Sequence, residues 1–579
     1  MLVGHEGVPL SPIATALLLA LAQRSNTENL TSGRPMPPEQ ACYDVKEYVL
    51  GVRVDPEKRS IAGRVEVHAE VLRVSDEIVL DLDRRLTVTR VAMRKLTAVI
   101  DPPEDFDEPV AFKHAEGELR VQSRGYMEVG QPMTVVIEYG GQPREAPMAP
   151  WDGGFVWSKT ASGAPWIATA NQMQGADLWW PCKDQPDDEA DRMTILVTVP
   201  APLVVASNGR FGAVFPDYDC LEGGAKSGWT TYQWHVSTPI NSYGVALNIA
   251  PYETITREYT SVAGDTFPVT YWVLPENLAK GKVLFEDILR QMAFFESVFG
   301  PYPFRGDKYG VAETPHLGME HQSIIAYGNN YKMDRWGADR GYDELHLHEF
   351  AHEWWANLVT CKNWNDFWIH ESFASYAQAL YAEHVGGAAA YFQEMGEQKN
   401  FANKAAIAPR APKSTADMYF GDREGSPGGD IYYKGAWVLH TLRWKLGDEA
   451  FFRALRRMAY PDPALEQKTD GSACRFATTE EILAIAERES GQQLDGFFEL
   501  YLRQPALPVL TWKEQVGKLL LEWKSPLREP FSMPVEVMLG DEYVRVECPD
   551  GKGELELGGV KDFAVDPRLR VLRAADGGR

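Results

Sequence analysis

The run His348 Glu349 Phe350 Ala351 His352 matches the HExxH pattern. Residues four apart on an α-helix are rotated by only about 40° from each other, so both imidazoles leave one face and can take two corners of a zinc tetrahedron. Glu349 stands beside them, off the metal, where it can take a proton. A catalytic zinc needs a third protein ligand and an open position, and a carboxylate is the usual third donor where water must be activated. Glu371, with 18 residues between it and His352, is the candidate. Two neutral imidazoles and one carboxylate leave such a site at about +1, enough to draw the pKa of a bound water from about 15.7 toward ~7. His346, two residues from His348, points elsewhere and reads as structural.

For Glu371 to meet the two histidines, the chain must leave the first helix, turn through Lys362 Asn363 Trp364 Asn365 Asp366, and start a second helix with Glu371 in its first turn. Helical periods run over 277–299, where Phe299 Gly300 Pro301 gives the stop signal, and over 344–358, 371–384, 435–446 and 479–502. Before them, from 43 to about 250, the pattern has period two, as in Arg64 Val65 Glu66 Val67 His68, and turn residues such as Ser207 Asn208 Gly209 punctuate it. Alternation returns in the tail, with hairpins expected around Gly517 and around Gly540 Asp541, and with Gly558 Gly559 breaking a last pair. The reading is an α+β multidomain chain: an N-terminal extension over 1–42, a β-sandwich-like domain over 43–250, a mainly helical catalytic domain over 251–504, and a small C-terminal β-sandwich over 505–579.

The composition narrows the function classes. A chain of 579 residues with 44% hydrophobic and 24% charged residues is ordinary globular material, too long for one core. Acidic residues outnumber basic ones 82 to 58, a formal net charge of −24 that argues against a nucleic-acid partner. Six cysteines without a CxxC pair suggest neither a disulfide scaffold nor a thiolate zinc site. No apolar run reaches the ~18 residues of a membrane span. Residues 12–22, PIATALLLALA, resemble the apolar part of an export signal, although MLVGHEG ahead of them carries no Lys or Arg. Export to the periplasm or the exterior is therefore placed ahead of cytoplasmic residence, with the compartment left open.

The stretch HEFAHEWWANLVTCKNWNDFWIHESFASY resembles the gluzincin aminopeptidases of the aminopeptidase N and leukotriene A4 hydrolase type, peptidase family M1. Upstream, Leu317 Gly318 Met319 Glu320 His321 is similar to that family's GAMEN exopeptidase motif, after a family-like Phe299 Gly300 Pro301 Tyr302 Pro303 Phe304. Tyr432 Tyr433 Lys434 Gly435 resembles its YxKG element, and Gln172 Met173 Gln174 with Trp180 Pro181 Cys182 Lys183 Asp184 resembles its N-terminal domain. The resemblance runs from about residue 43 to the tail and implies a short three-domain form with a thermolysin-like catalytic domain. Leu317 and His321 depart from the motif's Gly and Asn, Gln378 stands where the family often has Glu, and Gln174 matches leukotriene A4 hydrolase where many aminopeptidase N relatives have Glu.

The resemblance implies zinc, one ion per chain, on His348, His352 and Glu371, with Glu349 as general base and Tyr432 as oxyanion donor. It implies amine and substrate contacts from Glu320, Gln172, Gln174, Gly318 and Met319. The chemistry agrees: an aminopeptidase must hold a free ammonium one residue upstream of the scissile carbonyl, and a carboxylate near the metal does so through a charge-assisted hydrogen bond. The expected function is a zinc-dependent aminopeptidase acting, as a monomer, on peptides with a free N-terminus. A zinc endopeptidase and a metal-free peptide-binding protein are the alternatives, and Glu320 discriminates the first of these. Epoxide hydrolysis of the leukotriene A4 hydrolase kind cannot be inferred, because the helical domain that supplies its carboxylate-binding group is not seen after the tail.

Overall fold

A computed structural model describes residues 32, 33, 35–96, 105–332, 334, 335, 338–421 and 424–574. The apolar run at 12–22, and with it the export reading, lies outside the described residues. Among the described residues no helix is long and apolar enough to cross a membrane.

The period-two region folds as read. Alternating burial along Ser60–Val71 and its neighbours builds an eight-stranded sheet, in which Tyr43–Asp55 runs antiparallel to Ser60–Val71 on one side and parallel to Arg192–Pro200 on the other. Smaller sheets of three and four strands complete the layer, and side chains from all of them, among them Val65, Leu80, Val121 and Ile167, share one core with Trp179 and Trp180. The four-stranded sheet matters for the site, because its strand Pro165–Ala170 delivers the segment that carries Gln172. The end of the extension is fastened to both domains. Gly33 donates its N–H to the Asp184 carbonyl (3.3 Å), and the Thr415 hydroxyl donates to the carbonyl of Ser32 (3.4 Å).

The second domain is less purely helical than its periodicity suggests. It contains a five-stranded sheet in the order Glu253–Thr260, Thr266–Val273, Tyr309–Glu313, Ile325–Tyr327, Gly318–Met319. The strands are short, and helix Leu278–Phe299 separates two that pair in parallel, so no local window contains the sheet. Its edge, Gly318–Met319, pairs antiparallel with Ile325–Tyr327 beside helix Glu344–Ala351.

The expected helix 344–358 ends early. After Ala351 the chain opens into a wide turn, Glu353–Leu358, in which Asn357 N reaches back to the His352 carbonyl at 3.0 Å, and strand Val359–Cys361 follows. Helix Trp368–Glu397 is longer than read, continuing past the break at Gly387 (φ 70°). The period at 479–502 is two helices, Thr479–Ser490 and Asp495–Leu502, divided at Gly491 (φ 68°), whose left-handed conformation caps the first. Helix Asp448–Ala459, which starts directly after Gly447, lies outside the helical periods of the sequence reading.

In the tail, Val509–Gln515 and Lys518–Lys524 form the hairpin at Gly517, and Val535–Leu539 and Glu542–Val546 the one at Gly540 Asp541. Gly558 Gly559, expected to break a last pair, separates strands of different sheets: Lys552–Glu556 joins the first hairpin and Phe563–Val565 the second. The two three-stranded sheets enclose Leu519, Trp523, Val535 and Val537, in a core continuous with that of the catalytic domain.

Candidate metal centre and cleft

Helix Glu344–Ala351 begins at Asp343, whose carboxylate accepts the His346 N–H at 2.9 Å, and its last turn carries His348. His352 caps the helix, its Nδ1–H donating to the Trp355 carbonyl of the wide turn at 2.9 Å. This bond assigns a proton to Nδ1 and leaves Nε2 facing the cleft. Glu371 arrives in the first turn of helix Trp368–Glu397. That helix meets Tyr433–Leu446 closely at Gly435, where a Cβ would lie only 1.6 Å from Ser372 Oγ. The contact sets Tyr432, the residue before the second helix, against the same cleft.

Three donor atoms converge. His348 Nε2 and His352 Nε2 are 3.3 Å apart, and each is 3.5 Å from Glu371 Oε2. Donors ~2.0–2.2 Å from a common centre at tetrahedral angles stand about 3.3–3.6 Å apart, so the triangle has the edge lengths that a zinc ion requires. Glu371 Oε2 is buried and has no hydrogen-bond donor. Glu320, Glu349 and His352 form a second, overlapping cluster with ligand atoms within 4.8 Å of one another. Three carboxyl groups thus crowd one buried site, an arrangement that calls for a cation.

The electrostatics agree. Burial, countered by His352 and reinforced by Glu371, lifts the Glu320 carboxyl to about 7. Burial lifts Glu349 well above the carboxylate range. Burial opposes charge on His352, but contact with Glu371 and the neighbouring carboxylates outweigh it and carry the imidazole up to about 10. Burial also resists ionisation of Glu371, and the two imidazoles 3.5 Å from its Oε2 prevail, holding it well below its ordinary value. Tyr432 is pushed well above the phenol range by burial and by Glu371, so it is a proton-bearing donor at neutral pH.

Most of the residues singled out in the sequence line one cavity: Gln172, Gly318, Met319, Glu320, the three donors with Glu349, and Tyr432. Gln172 Nε2 donates to Glu320 Oε1 and lies 3.4 Å from Glu371 Oε1, bridging the two acids. The Tyr432 ring stacks on His348, with centroids 6.1 Å apart and planes 25° from parallel. Gln174 is placed differently: its amide donates to Asp152 (2.9 Å), its oxygen accepts Gly153 N (2.6 Å), and it does not line the cavity. His346 is buried between Tyr309 OH and Gln291 Oε1.

The sequence reading missed several lining residues. Leu345, Ser375 and Trp151 reach the cavity. Leu345, three before His348, and Ser375, four after Glu371, share helix faces with candidate donors and could have been found by that spacing. Trp151 sits in an irregular segment and gives no such signal. The departures Leu317 and His321 leave the edge strand intact: Gly318 still faces Tyr327, and the Leu317 carbonyl accepts Gly328 N at 2.7 Å.

Known protein families match most of the chain. Residues 44–243 match the family described as Peptidase M1 N-terminal domain, and residues 284–467 match Peptidase family M1 domain, together about two thirds of the chain. Aminopeptidase N of Streptomyces lividans is 26% identical over 369 residues, which are 59% of this chain and 41% of the relative. Aminopeptidase N of Haemonchus contortus is 24% identical over 508 residues, 82% of this chain and 48% of the relative. The chain therefore spans less than half the length of either. A variant of the M1 zinc metallopeptidase from Deinococcus radiodurans, solved with a Tyr-Ser-Ala substrate, shares the fold with a TM-score of 0.62 at 21% identity, over 83% of this chain and 98% of that one.

Proposed function

We propose that this chain, which belongs to peptidase family M1, is a zinc-dependent aminopeptidase that removes N-terminal residues from peptides with a free amino group. One observation carries the reading: the triangle of His348, His352 and Glu371 has zinc-ligand spacing, and Glu320 and Glu349 face the same space. Those three residues would hold zinc, and its Lewis acidity would make water a nucleophile at neutral pH and polarise a carbonyl. Glu349 takes the proton of the attacking water and returns it to the leaving amine. Tyr432 donates its phenolic hydrogen to the carbonyl oxygen as negative charge develops there. Glu320, oriented by Gln172, binds the substrate ammonium and fixes the register so that one residue leaves per turnover. All these residues come from one chain, so the proposed catalytic unit is complete within a single subunit with one zinc ion.

The test is an assay of purified protein on aminoacyl fluorogenic amides and their N-acetylated counterparts, before and after chelation and zinc return. Cleavage of free-amine substrates only, lost on chelation and restored by zinc, is expected. Equal cleavage of acetylated substrates would refute the Glu320 anchor and favour an endopeptidase. Silence of the zinc-replete protein on every substrate would favour a binding role.

A further inference from the structure

Directly after Glu320 the chain reverses through a turn in which Ser323 holds a left-handed conformation (φ 58°), one that a non-glycine residue adopts only when its surroundings impose it. Lys308 Nζ holds it by donating to the Ser323 carbonyl (2.8 Å) and, across the domain boundary, to the Ser207 carbonyl (2.9 Å), and two further elements act with it. From the segment that follows the metal helix, Glu353 Oε1 accepts Ser323 N at 2.8 Å, and Asn357 Nδ2 donates to the carbonyl of Glu320 itself at 2.9 Å. From the N-terminal domain, Gly209 N donates to Ser323 Oγ at 2.8 Å, and Asn208 Nδ2 donates to the Gln322 carbonyl at 2.7 Å. The Asn208 amide also donates to the Gly244 carbonyl (2.7 Å) and accepts Ala246 N (2.8 Å). Asn208 and Ser323 are both 0% exposed, so no water can replace a lost partner.

We infer that Asn208, which touches none of the reacting groups, is a positioning residue for the amine anchor. By tying the Gln322 carbonyl to Gly244 and Ala246, it sets where Glu320 stands relative to the metal donors, so the N-terminal domain governs how tightly a free N-terminus is held. The inference rests on the proposed aminopeptidase reading. The side chain suits this role because a primary amide alone, at this length, donates twice and accepts once. Glu349 and the donor triangle belong to another element, so the water-activating step is spared. A displaced anchor weakens substrate and transition state alike, which raises KM and leaves kcat in place.

The experiment compares Asn208→Asp, which keeps the shape and the acceptor but loses both donated bonds, with Ser323→Ala, which removes only the acceptor for Gly209. Both are assayed as full-length, zinc-loaded protein on a free-amine aminoacyl amide, with thermal unfolding and zinc content measured beside it. The expected result is a KM raised about tenfold in Asn208→Asp and less in Ser323→Ala, with kcat within about twofold and one zinc per chain. Binding of acetohydroxamate, a metal-directed inhibitor without an amine, should be unchanged. Folded variants with wild-type KM, or a fall in kcat and zinc content at constant KM, would overturn the positioning role while leaving the aminopeptidase reading intact. A wild type that ignores the free amine would overturn both. Should Asn208→Asp not fold, Ser323→Ala decides by the same KM criterion.

Discussion

Gly318 offers the sharpest test of how the base is placed. Strand Gly318–Met319 lies so close to the metal helix that a Cβ on Gly318 would stand 2.5 Å from Glu349 Oε1 and 3.0 Å from both Glu349 Cδ and Leu345 Cδ1. An ordinary carbon–oxygen contact is about 3.4 Å, so in Gly318→Ala the carboxylate must retreat by about 1 Å. The carboxylate is the far end of a flexible side chain, and the backbone pairing of Gly318 with Tyr327 is unaffected, so folding should suffer by no more than about 1 kcal/mol. Catalysis is less forgiving, since a 1 Å misplacement of a reacting group costs on the order of 10²-fold.

The assay is steady-state kinetics on a free-amine aminoacyl amide, with zinc content and thermal unfolding measured on the same preparation. We expect kcat to fall about 30- to 100-fold, KM to stay within about threefold, and one zinc ion to be retained. A double-mutant cycle isolates the cause. If the alanine acts through Glu349, adding Glu349→Gln should cost little beyond Glu349→Gln alone, whereas independent effects would multiply. A folded, zinc-loaded Gly318→Ala protein with kcat within about threefold of wild type would refute the argument, as would simple multiplication of the two losses.

Further expectations concern other elements. Tyr432→Phe keeps the ring on His348 but removes the phenolic donor, so kcat should fall about 10²- to 10³-fold at constant zinc content, while Tyr433→Phe changes it by less than about threefold; the reverse order would exchange their roles. Gly435→Ala drives a methyl into Ser372 Oγ and should destabilise the domain by roughly 1–3 kcal/mol in urea unfolding, and an unchanged midpoint would contradict the close helix approach. Burial lifts the Asp343 carboxyl from 3.8 to about 6 despite the bonds from Tyr327, His346 and Asn329. A raised carboxyl pKa stabilises fully below the unfolded value and loses that contribution as pH rises through 6, so stability should tilt toward Asp343→Asn by up to about 3 kcal/mol between pH 4 and pH 7; a flat difference across that range would disprove the assignment.

The sequence reading reaches geometry that is encoded locally. HExxH places two imidazoles by helix geometry alone, and the 18-residue gap to Glu371 suffices for the wide turn, strand Val359–Cys361 and the start of the next helix. It fell short where geometry depends on distant partners. The parallel pairing of Thr266–Val273 with Tyr309–Glu313 spans a whole helix, so the sheet that presents Gly318 and Glu320 leaves no trace in any short window. Ser207 Asn208 Gly209 reads as turn punctuation, and composition does not reveal that the Asn208 side chain is buried against another domain. Gln174 shows the limit of motif transfer: adjacency to Gln172 and Met173 locates the segment, but its amide bonds with Asp152 and Gly153 are fixed by a loop that the motif does not contain.

Charge balance links these observations to the proposed specificity. Glu320, Glu349 and Glu371 are each at most 7% exposed, and three ionised carboxylates in so small a space are tolerable only against an equal positive charge. Zinc supplies two units and a peptide's ammonium the third, so the proposed complex is neutral only when the substrate carries a free N-terminus. Glutamine at 172 and 378, both lining the cavity, keeps that count at three, where further acids would leave a surplus. An acetylated peptide brings no third charge and leaves Glu320 either unpaired or protonated, so the proposed site should discriminate against it by charge before any steric contact with the acetyl group. Gln172, neutral and bonded to Glu320, orients this acid without consuming its charge, which a lysine or arginine there would do.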